Sequence, residues 1–285
     1  KFVDIRPDTL NLDEALIGRA INRRTKVIVP LHYAGVACEM DRIMALARKH
    51  KLLVIEDAAQ AFNATYKQRY LGTIGHLGAF SFHETKNVIS GEGGALVIND
   101  PRFIERASIV IEKGTDRRRF ELGIVDKYTW VDIGSSYRPS DMVAAFLSAQ
   151  LARVDRITRR RHAIHDYYFR HLRPLSARGL VQLPGCPSEC RHPAHMFYLR
   201  VLAGQKERDR LIRFLMARGI QAVFHYVPLH LSRIGRGLGY YPGDLPVTEQ
   251  MSGQLIRLPC YYELRRQDQD RVIEALYSFY GLISE

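Results

Sequence analysis

The sequence is poor in cysteine and tryptophan and has no long apolar segment. Four cysteines and one tryptophan occur among its 285 residues. The cysteines, at positions 38, 186, 190 and 260, are too scattered for a disulfide framework, which favours a reducing cytoplasm. No apolar run is long enough to cross a bilayer, and no charged-then-apolar signal segment opens the chain. The composition therefore predicts a globular protein without a membrane partner.

Negative charge is also scarce compared with positive charge. The formal net charge is +12, and arginine-rich stretches at residues 117–119 and 156–161 supply much of it. A basic surface can bind nucleic acid, but Ile157, Ile164 and Tyr168 recur near helical spacing between the arginines. No motif with interleaved aromatics for base recognition is present. We therefore expect a solvated helix face and no nucleic-acid partner, with part of the charge left for phosphate-bearing ligands.

The first half of the chain alternates apolar strands with helices. The pattern predicts helices at 41–50 and 101–113 and strands at 27–31, 52–55, 78–82 and 95–98. Such alternation is typical of βαβ units in a mostly parallel sheet. The sequence GEGG at residues 91–94 precedes a strand rather than a helix. We therefore interpret it as a turn and not as a phosphate-binding loop.

The second half is predicted to form a linking helix and a smaller α+β domain. After an irregular, potentially functional loop at 114–138, Ser140 can cap a helix that runs towards Leu172 and is ended by Pro174 and Gly179. Further elements are predicted as strands at 197–202 and 222–224 and helices at 208–218 and 267–280. We expect a large domain over residues 1–150 and a smaller one over residues 151–285.

An acid and a lysine follow two of the predicted strands. Asp57 comes directly after the strand at 52–55, and Lys86 follows the strand at 78–82. Ligands bind at the carboxyl ends of strands in open α/β sheets. Pyridoxal phosphate chemistry needs this pair, because the lysine forms a Schiff base with the cofactor and a carboxylate keeps the pyridine nitrogen protonated. From spacing alone, a structural aspartate and a surface lysine remain the alternative.

Two cysteines and two histidines between residues 186 and 195 raise the question of a zinc site. Structural zinc sites prefer two well-separated pairs of ligands. Prolines inside this stretch suggest instead a loop that enters a strand. We expect no metal.

Several motifs occur in an order that resembles a known family. These are EDAAQ (56–60), SFHETKN (81–87), GEGGA (91–95), GSSYR (134–138) and HYVPLH (225–230). Together they resemble the DegT/DnrJ/EryC1/StrS sugar aminotransferases along nearly the whole chain. The resemblance implies an α/β fold of the PLP-dependent transferase type (aspartate aminotransferase type, fold type I). It also implies pyridoxal 5′-phosphate (PLP) as the cofactor and a homodimer with shared active sites.

Within the family, three stretches most resemble enzymes that make dTDP-4-amino-4,6-dideoxygalactose. These are HYAGVACEMD (32–41), FHETK (82–86) and DKYTW (126–130). This implies transfer of an amino group from glutamate to the 4-keto carbon of a dTDP-4-keto-6-deoxyhexose, for enterobacterial common antigen or a related surface polysaccharide. A PLP-dependent sugar dehydratase is the alternative within the fold. Relatives with that activity carry histidine in place of the lysine, so Lys86 argues against it.

The resemblance also implies roles for individual residues at the cofactor. Lys86 is expected to hold the cofactor and move the proton during catalysis, and Asp57 to protonate the pyridine nitrogen. Other expected contacts are Gln60 with the ring or its 3-oxygen, Ser81 with the phosphate, and His83 beside the ring.

Residues from later motifs are expected to complete the site. Ser136 stands where many relatives have asparagine, in a loop that reaches the cofactor phosphate of the neighbouring subunit. The nucleotide-sugar pocket is expected to be lined by Tyr137, His225, Tyr226 and His230.

Family enzymes carry further N-terminal residues for which we find no counterpart before residues 1–5, which are themselves predicted as a strand. Those residues include a small-residue turn at the cofactor phosphate and an aromatic that stacks on the ring. We therefore expect the chain to represent part of a family enzyme. Expressed alone, it is expected to be poorly soluble or to bind PLP weakly, without turnover. A non-catalytic remnant is the alternative outside the enzymes.

Overall fold

A computed structural model describes residues 1–283, which form ten helices and ten strands besides short 3₁₀ turns. The helices are α1 (Glu14–Ala20), α2 (Met40–His50), α3 (Ile104–Ile111), α4 (Arg117–Glu121), α5 (Asp141–Leu151), α6 (Val154–Ala177), α7 (Gln205–Met216), α8 (Arg233–Gly237), α9 (Pro246–Gln254) and α10 (Arg266–Phe279). The strands are β1 (Val27–Ile28), β2 (Leu53–Asp57), β3 (Thr65–Tyr66), β4 (Arg69–Tyr70), β5 (Leu77–Ser81), β6 (Gly94–Ile98), β7 (Val181–Gln182), β8 (Cys190–Arg191), β9 (Phe197–Val201) and β10 (Leu255–Leu258). Within residues 1–283, none of these helices is long and apolar enough to span a membrane.

The first half of the chain builds a four-stranded sheet in the order β1-β2-β5-β6. The pairs β1–β2 and β2–β5 are parallel, whereas β6 is antiparallel to β5. Asp57 lies beside Ala79 in the register of β2 and β5, so both strands end at the same edge. The predicted, mostly parallel sheet is therefore present, and it carries the expected turn between β5 and β6.

Helix α2 covers this sheet through one apolar face. Met40, Ile43 and Ala47 recur at helical spacing and are fully buried. They pack with Val54 of β2 in one core cluster. Burial of a side chain such as Met40 or Ile43 contributes about 1.5–3 kcal/mol each. The helix ends at Lys51, whose left-handed φ of 54° closes the last turn. The predicted helix at 41–50 is confirmed.

The second half of the chain has its own core between helices and a small antiparallel sheet in the order β10-β9-β7. Helices α6, α7 and α10 cover this sheet with buried side chains that include Tyr168, Leu172, Leu211 and Leu276. The buried residues of this cluster all lie in the second half of the chain, and those of the cluster around α2 all lie in the first half. The domain boundary at residue 150 stays a prediction.

The linking helix differs from the prediction in two places. It is interrupted at Ala152 and Arg153, which separate α5 from α6. Pro174 lies inside α6 and does not end it, because the next turn still closes with the Arg178 N–H donating to the Pro174 carbonyl. The helix ends before Gly179, whose φ of 70° suits a residue without a side chain.

Two predicted strands are absent as strands. Residues 1–5 form only a single bridge between Ile5 and Leu12, and the segment at 222–224 forms only one between Val223 and Arg257. The reason at the N-terminal end is that the Asp4 carboxylate accepts hydrogen bonds from the backbone N–H groups of Val247 and Thr248. This contact caps α9 and draws residue 4 towards a helix end, away from any sheet.

Candidate active site

Lys86 lies in the segment that connects β5 to β6 at the carboxyl edge of the sheet. Backbone hydrogen bonds hold this segment against its return arm, and the Lys86 N–H donates to the His83 carbonyl at 2.9 Å. Burial lowers the pKa of the Lys86 amine, the carboxylate of Asp57 partly opposes this shift, and Arg257 adds to it. The net effect is a lysine with an increased fraction of neutral, nucleophilic amine.

Asp57 is the last residue of β2, and both of its backbone groups bond to the segment that follows β1. Its N–H donates to the Pro30 carbonyl at 2.9 Å, and its carbonyl accepts from His32 N at 3.1 Å. One carboxylate oxygen, Oδ1, accepts from Ala59 N at 3.1 Å. Its charge acts on the amine of Lys86, so the structure brings together the acid and the lysine that follow separate strands in the sequence.

Glu56, the neighbour of Asp57, points to the other face of the sheet into a fully buried network. Its Oε1 accepts from the N–H groups of Ile74 and Gly75, each at 2.6 Å. His32 Nδ1 accepts from Cys38 N at 3.2 Å, so the ring proton lies on Nε2 and is donated to Glu56 Oε2 at 3.0 Å. Burial alone would raise the pKa of Glu56, but these hydrogen bonds lower it below its ordinary value. The network stabilises the strand end that presents Asp57.

A tight turn at Tyr33–Gly35 faces the site and engages Gln60. Ala34 and Gly35 have φ values of 55° and 79°. A side chain on Gly35 would lie 2.2 Å from Pro193 Cδ, so this position requires glycine. Gln60 Oε1 accepts from Ala34 N at 2.7 Å. The carbonyl of the Gln60 amide therefore positions the turn, and its NH₂ group is the part left for a ligand.

His225 lies next to this turn and is electrically neutral. Its Nδ1 lies 2.7 Å from the Tyr33 hydroxyl, and only 6% of the residue is exposed. Burial, with further contributions from Arg257 and Lys86, lowers the pKa of His225 to about 3. The charge of Lys86 therefore acts on the ring of His225, and the contact of His225 with a sugar stays a prediction.

Asn87 connects the lysine segment to the loop that enters β9. Its Nδ2 donates to the Pro193 carbonyl at 2.7 Å, and its Oδ1 accepts from His195 Nδ1 at 3.0 Å. Burial, with smaller contributions from the cations Arg161 and Lys86, holds the pKa of His195 well below its ordinary value. Because Asn87 follows Lys86 directly, the backbone at the lysine is fixed to the second core.

Arg161 of α6 also binds the loop that enters β9. Its guanidinium donates to the carbonyls of Ala194 at 2.9 Å, His195 at 2.5 Å and Cys260 at 3.2 Å. Sequence reasoning missed this residue within an arginine-rich stretch. The signal that could have found it is its position in the apolar, i/i+3/i+4 row of α6 with Ile157, Ile164 and Tyr168, where an exposed arginine does not belong.

Arg257 is a second residue that the sequence did not reveal. It lies on β10 and exchanges backbone hydrogen bonds with Val223, at 2.7 and 3.2 Å. Its charge reaches the amine of Lys86 and the ring of His225. A lone arginine in an apolar strand that ends in Leu-Pro was the available signal.

Ser81 and His83 lie near the lysine segment but are engaged locally. Ser81 Oγ accepts a long hydrogen bond of 3.4 Å from His83 N. His83 Nδ1 lies 2.9 Å from the Thr85 hydroxyl, and its Nε2 lies 3.6 Å from a Glu92 carboxylate oxygen. These contacts place His83 at the rim of the segment, and its packing against a ring stays a prediction.

Three of the predicted residues are exposed in the single chain. Ser136 forms a one-residue bridge with Glu112, and the side chain of Tyr137 is 66% exposed. Tyr226 is also exposed, and its carbonyl accepts from Ser252 Oγ at 2.6 Å. Because these residues are exposed, they are available to contact a ligand or another subunit.

His230 differs from these residues because it is buried. Its Nε2 lies 2.9 Å from Glu249 Oε1, which also accepts from Gly243 N at 2.7 Å. The residue is only 1% exposed. This burial does not support the expected direct contact with a sugar and indicates a structural role in the loop before α9.

The cysteines and histidines between residues 186 and 195 do not converge on one point. No group of three or more His, Cys, Asp or Glu side chains within residues 1–283 could hold a metal ion. His192 packs against the ring of His165 with centroids 4.6 Å apart, while His195 bonds to Asn87. Burial lowers the pKa of His192 to about 3, so the cluster is neutral.

Comparison with known proteins identifies the family. Residues 1–277 match the DegT/DnrJ/EryC1/StrS aminotransferase family. The chain belongs to this family. It is 36% identical over 278 residues to the GDP-perosamine synthase of Caulobacter vibrioides, with 96% of this chain and 71% of that protein covered. It is 35% identical over 276 residues to the dTDP-3-amino-3,4,6-trideoxy-alpha-D-glucose transaminase of Streptomyces venezuelae, with 96% and 69% covered.

A solved structure of this family agrees with the fold. The PLP-form of Spr1654 from Streptococcus pneumoniae superimposes with a TM-score of 0.88 at 26% identity and covers 98% of this chain and 74% of that chain. The expected fold class is thus confirmed. The chain is a sugar aminotransferase that depends on PLP.

The residues of the site fit this cofactor. When bound, PLP withdraws electrons from the carbon that carries the transferred nitrogen. The amine of Lys86 has a lowered pKa, which suits attack on an aldehyde, and the carboxylate of Asp57 acts on it from the end of the neighbouring strand. A protonated pyridine ring requires an acidic partner, and its aldehyde requires an amine. Asp57 and Lys86 offer these two groups at one edge of the sheet.

Proposed function

We propose that this enzyme transfers the amino group of glutamate to the 4-keto carbon of a dTDP-4-keto-6-deoxyhexose. The product would be dTDP-4-amino-4,6-dideoxygalactose, a precursor of enterobacterial common antigen or a related surface polysaccharide. The observation that carries the proposal is the meeting of Lys86 and Asp57 at one edge of the sheet, where burial lowers the pKa of the Lys86 amine and the charge of Asp57 partly opposes this shift. A lysine can give up and take back a proton at the substrate carbon, which amino transfer requires.

In this proposal each side chain has a role that follows from its position. Lys86 holds the cofactor and moves the proton, and Asp57 holds the proton on the pyridine nitrogen. Gln60 supports the ring through its NH₂ group, Ser81 contributes to the phosphate site, and His83 borders the ring.

The sugar nucleotide is proposed to occupy the side of the site formed by His225 and Tyr226. His225 is neutral, and Tyr226 is exposed beside it with ring centroids 3.6 Å apart. The choice of dTDP rests on the stretches at 32–41, 82–86 and 126–130. The names of the two relatives above refer to a GDP-linked and a dTDP-linked sugar. Experiment must therefore decide which nucleotide the substrate of this enzyme carries.

We also propose a homodimer in which each subunit completes the site of the other. Helix α5 is rich in apolar residues, yet none of its residues is buried in the single chain. Trp130, Ile133 and Met142 are 78%, 80% and 82% exposed. Apolar patches of this kind commonly mark protein interfaces. Ser136 and Tyr137 lie between these residues in sequence and would be carried to the partner's cofactor.

A reaction with defined substrates tests the proposal. The protein, produced together with any residues that adjoin this sequence in its gene, is incubated with PLP, L-glutamate and dTDP-4-keto-6-deoxyglucose. The product is analysed by mass spectrometry and by the coupling between the protons on C3 and C4 in NMR. We expect an amine at C4 with the small coupling of the galacto configuration. Lys86→Ala is the control and should give no product.

Other outcomes separate the alternatives. Amination of a GDP-linked sugar alone would reject dTDP, and loss of water without nitrogen transfer would favour the dehydratase. A protein that binds PLP and sugar nucleotide but turns over neither sugar would support the non-catalytic remnant. Light scattering at several concentrations tests the homodimer, and Met142→Glu should shift the protein towards monomer.

A further inference from the structure

Arg257 is a half-buried arginine whose Nε–H is left without a partner. The Nε atom is buried and has no hydrogen-bond partner, and the residue makes no ion pair within residues 1–283. By contrast, the more deeply buried Arg161 donates to three carbonyls and Arg208 to two. A buried donor without a partner leaves a hydrogen bond unmade, and an anion from outside the chain would supply both the acceptor and the counter-charge.

The groups around Arg257 are all neutral or positive. Burial raises the pKa of the Tyr33 hydroxyl and of the Cys260 thiol, so both keep their protons. The same effect lowers the pKa values of His195 and His225, so neither ring is charged. The remaining neighbours are Arg161 and Lys86, which are basic. An anion at this point would meet no repulsion from these groups.

The position of Arg257 selects among the anions of the reaction. Its backbone pairs with Val223, two residues before His225, and its charge acts on the amine of Lys86, where the nitrogen of the donor must arrive. In an amino acid, the α-carboxylate is attached to the carbon that carries this nitrogen. The diphosphate of a sugar nucleotide, by contrast, is attached across the sugar ring from the carbon at position 4. The anion that necessarily lies near the reacting amine is therefore the carboxylate.

We propose that Arg257 binds the α-carboxylate of the amino donor and so determines that an α-amino acid is used. The proposal rests on the proposed amino transfer only in naming the donor as the carboxylate ligand. His225 offers a second donor in the tautomer that carries its proton on Nε2, which is the tautomer formed when the Tyr33 hydroxyl donates to Nδ1. A guanidinium fork holds a carboxylate with two parallel hydrogen bonds, which fixes the orientation of the donor.

The test compares three variants of the PLP-loaded protein. Arg257→Met removes the charge at similar volume, and Arg257→Lys keeps the charge but loses the fork. Arg200→Met is the matched control, because Arg200 is also a half-buried arginine of this sheet, on β9, and bonds to Gln254 at 3.2 Å. Isothermal titration measures the Kd of maleate, an unreactive dicarboxylate, and separately the Kd values of dTDP and of inorganic phosphate. Circular dichroism confirms that each variant is folded.

We expect Arg257→Met to weaken maleate binding by about 10- to 100-fold. Arg257→Lys should lie between it and the wild type, and Arg200→Met should match the wild type. The Kd values of dTDP and phosphate should not change in any variant. With glutamate, KM should rise in Arg257→Met by a similar factor, and glutamate should lose its preference over simple primary amines.

The contrary results have different consequences for the inference and for the proposed function. Absence of maleate binding by the wild type, or equal binding by Arg257→Met, would remove the carboxylate site. A selective loss of dTDP affinity would assign Arg257 to the diphosphate, and a selective loss of phosphate affinity would assign it to the cofactor. Arg257-dependent maleate binding without any reaction with glutamate would keep this inference and reject the proposed function.

Discussion

The hydroxyl of Tyr33 lies 2.7 Å from Nδ1 of His225. Burial raises the pKa of Tyr33 and lowers that of His225 to about 3, so both groups are neutral. We predict that the hydroxyl donates to Nδ1, which leaves the ring proton on Nε2. In this arrangement a tyrosine from the first half of the chain sets the tautomer of a histidine from the second half.

Tyr33→Phe should change which ring nitrogen of His225 carries the proton. The variant leaves Nδ1 without a partner in a buried place, which costs about 1–3 kcal/mol of stability or is relieved by moving the proton from Nε2. Nitrogen-15 NMR of labelled histidine should show the Nε2–H form in the wild type and its loss in Tyr33→Phe. Tyr198→Phe removes a neighbouring buried hydroxyl and should keep the wild-type tautomer. An unchanged histidine spectrum in Tyr33→Phe would contradict the assignment.

Lys86 should be the only residue that PLP labels. Borohydride treatment of the PLP-loaded protein followed by peptide mass spectrometry should find the phosphopyridoxyl group on the peptide that contains Lys86. Lys86→Ala should abolish the label, whereas Lys113→Ala should retain it, because Lys113 is exposed. Labelling of Lys67 or Lys113 in the wild type would show that another amine is the reactive one.

Asp57→Asn should slow the reaction with glutamate while leaving the label on Lys86. Asparagine keeps the Oδ1 that accepts from Ala59 N but loses the negative charge. Without that charge, the pyridine nitrogen is held neutral and electrons are withdrawn less strongly. We expect a reduction of at least about 100-fold in stopped-flow absorbance. Asp41→Asn, which alters an exposed pair with Lys67, is the control, and equal rates in both variants would mean that another acid acts.

Glu56→Gln should destabilise the fold and change its dependence on pH. The substitution places an NH₂ group against the His32 Nε2–H and Gly72 N–H donors, and a buried donor left without an acceptor costs about 1–3 kcal/mol. In the wild type, the pKa of Glu56 is lowered from its ordinary 4.5. Its stabilising contribution is therefore complete above about pH 4.5 and is lost as the pH falls through the lower value of the folded state. Chemical denaturation at several pH values should show the wild-type advantage shrinking below this point.

Exposed Glu84 provides the comparison for Glu56. Glu84→Gln should have little effect on stability, because the Glu84 side chain is exposed to solvent. A Glu56→Gln variant as stable as Glu84→Gln would contradict the role of the buried network.

The sequence could predict the edge of the sheet because that information is local. Apolar runs ending at Asp57 and Ser81 mark two strands, and parallel strands deliver their ends to one place. The apolar spacing of α2 is similarly local. These elements account for the acid and the lysine of the site.

The remaining parts of the site depend on contacts that no local pattern records. Tyr33 and His225 are 192 positions apart, and Arg257 reaches Lys86 from a strand of the second core. The wrong prediction of a strand at residues 1–5 has the same origin, because Asp4 accepts hydrogen bonds from the start of a helix that begins at Pro246. Conversely, His230 matched a family motif, yet its burial against Glu249 follows from packing that the motif does not contain.

Asn87 holds its backbone neighbour in place by two hydrogen bonds to the loop before β9. In the proposed reaction an incoming amine would displace the amine of Lys86, and these bonds would hold the main chain at Lys86 in place. The displaced amine would then move by rotation about the bonds of its own side chain. Its distance from the substrate carbon would be limited by the length of that side chain, which would keep the proposed base near the reacting atom throughout the reaction.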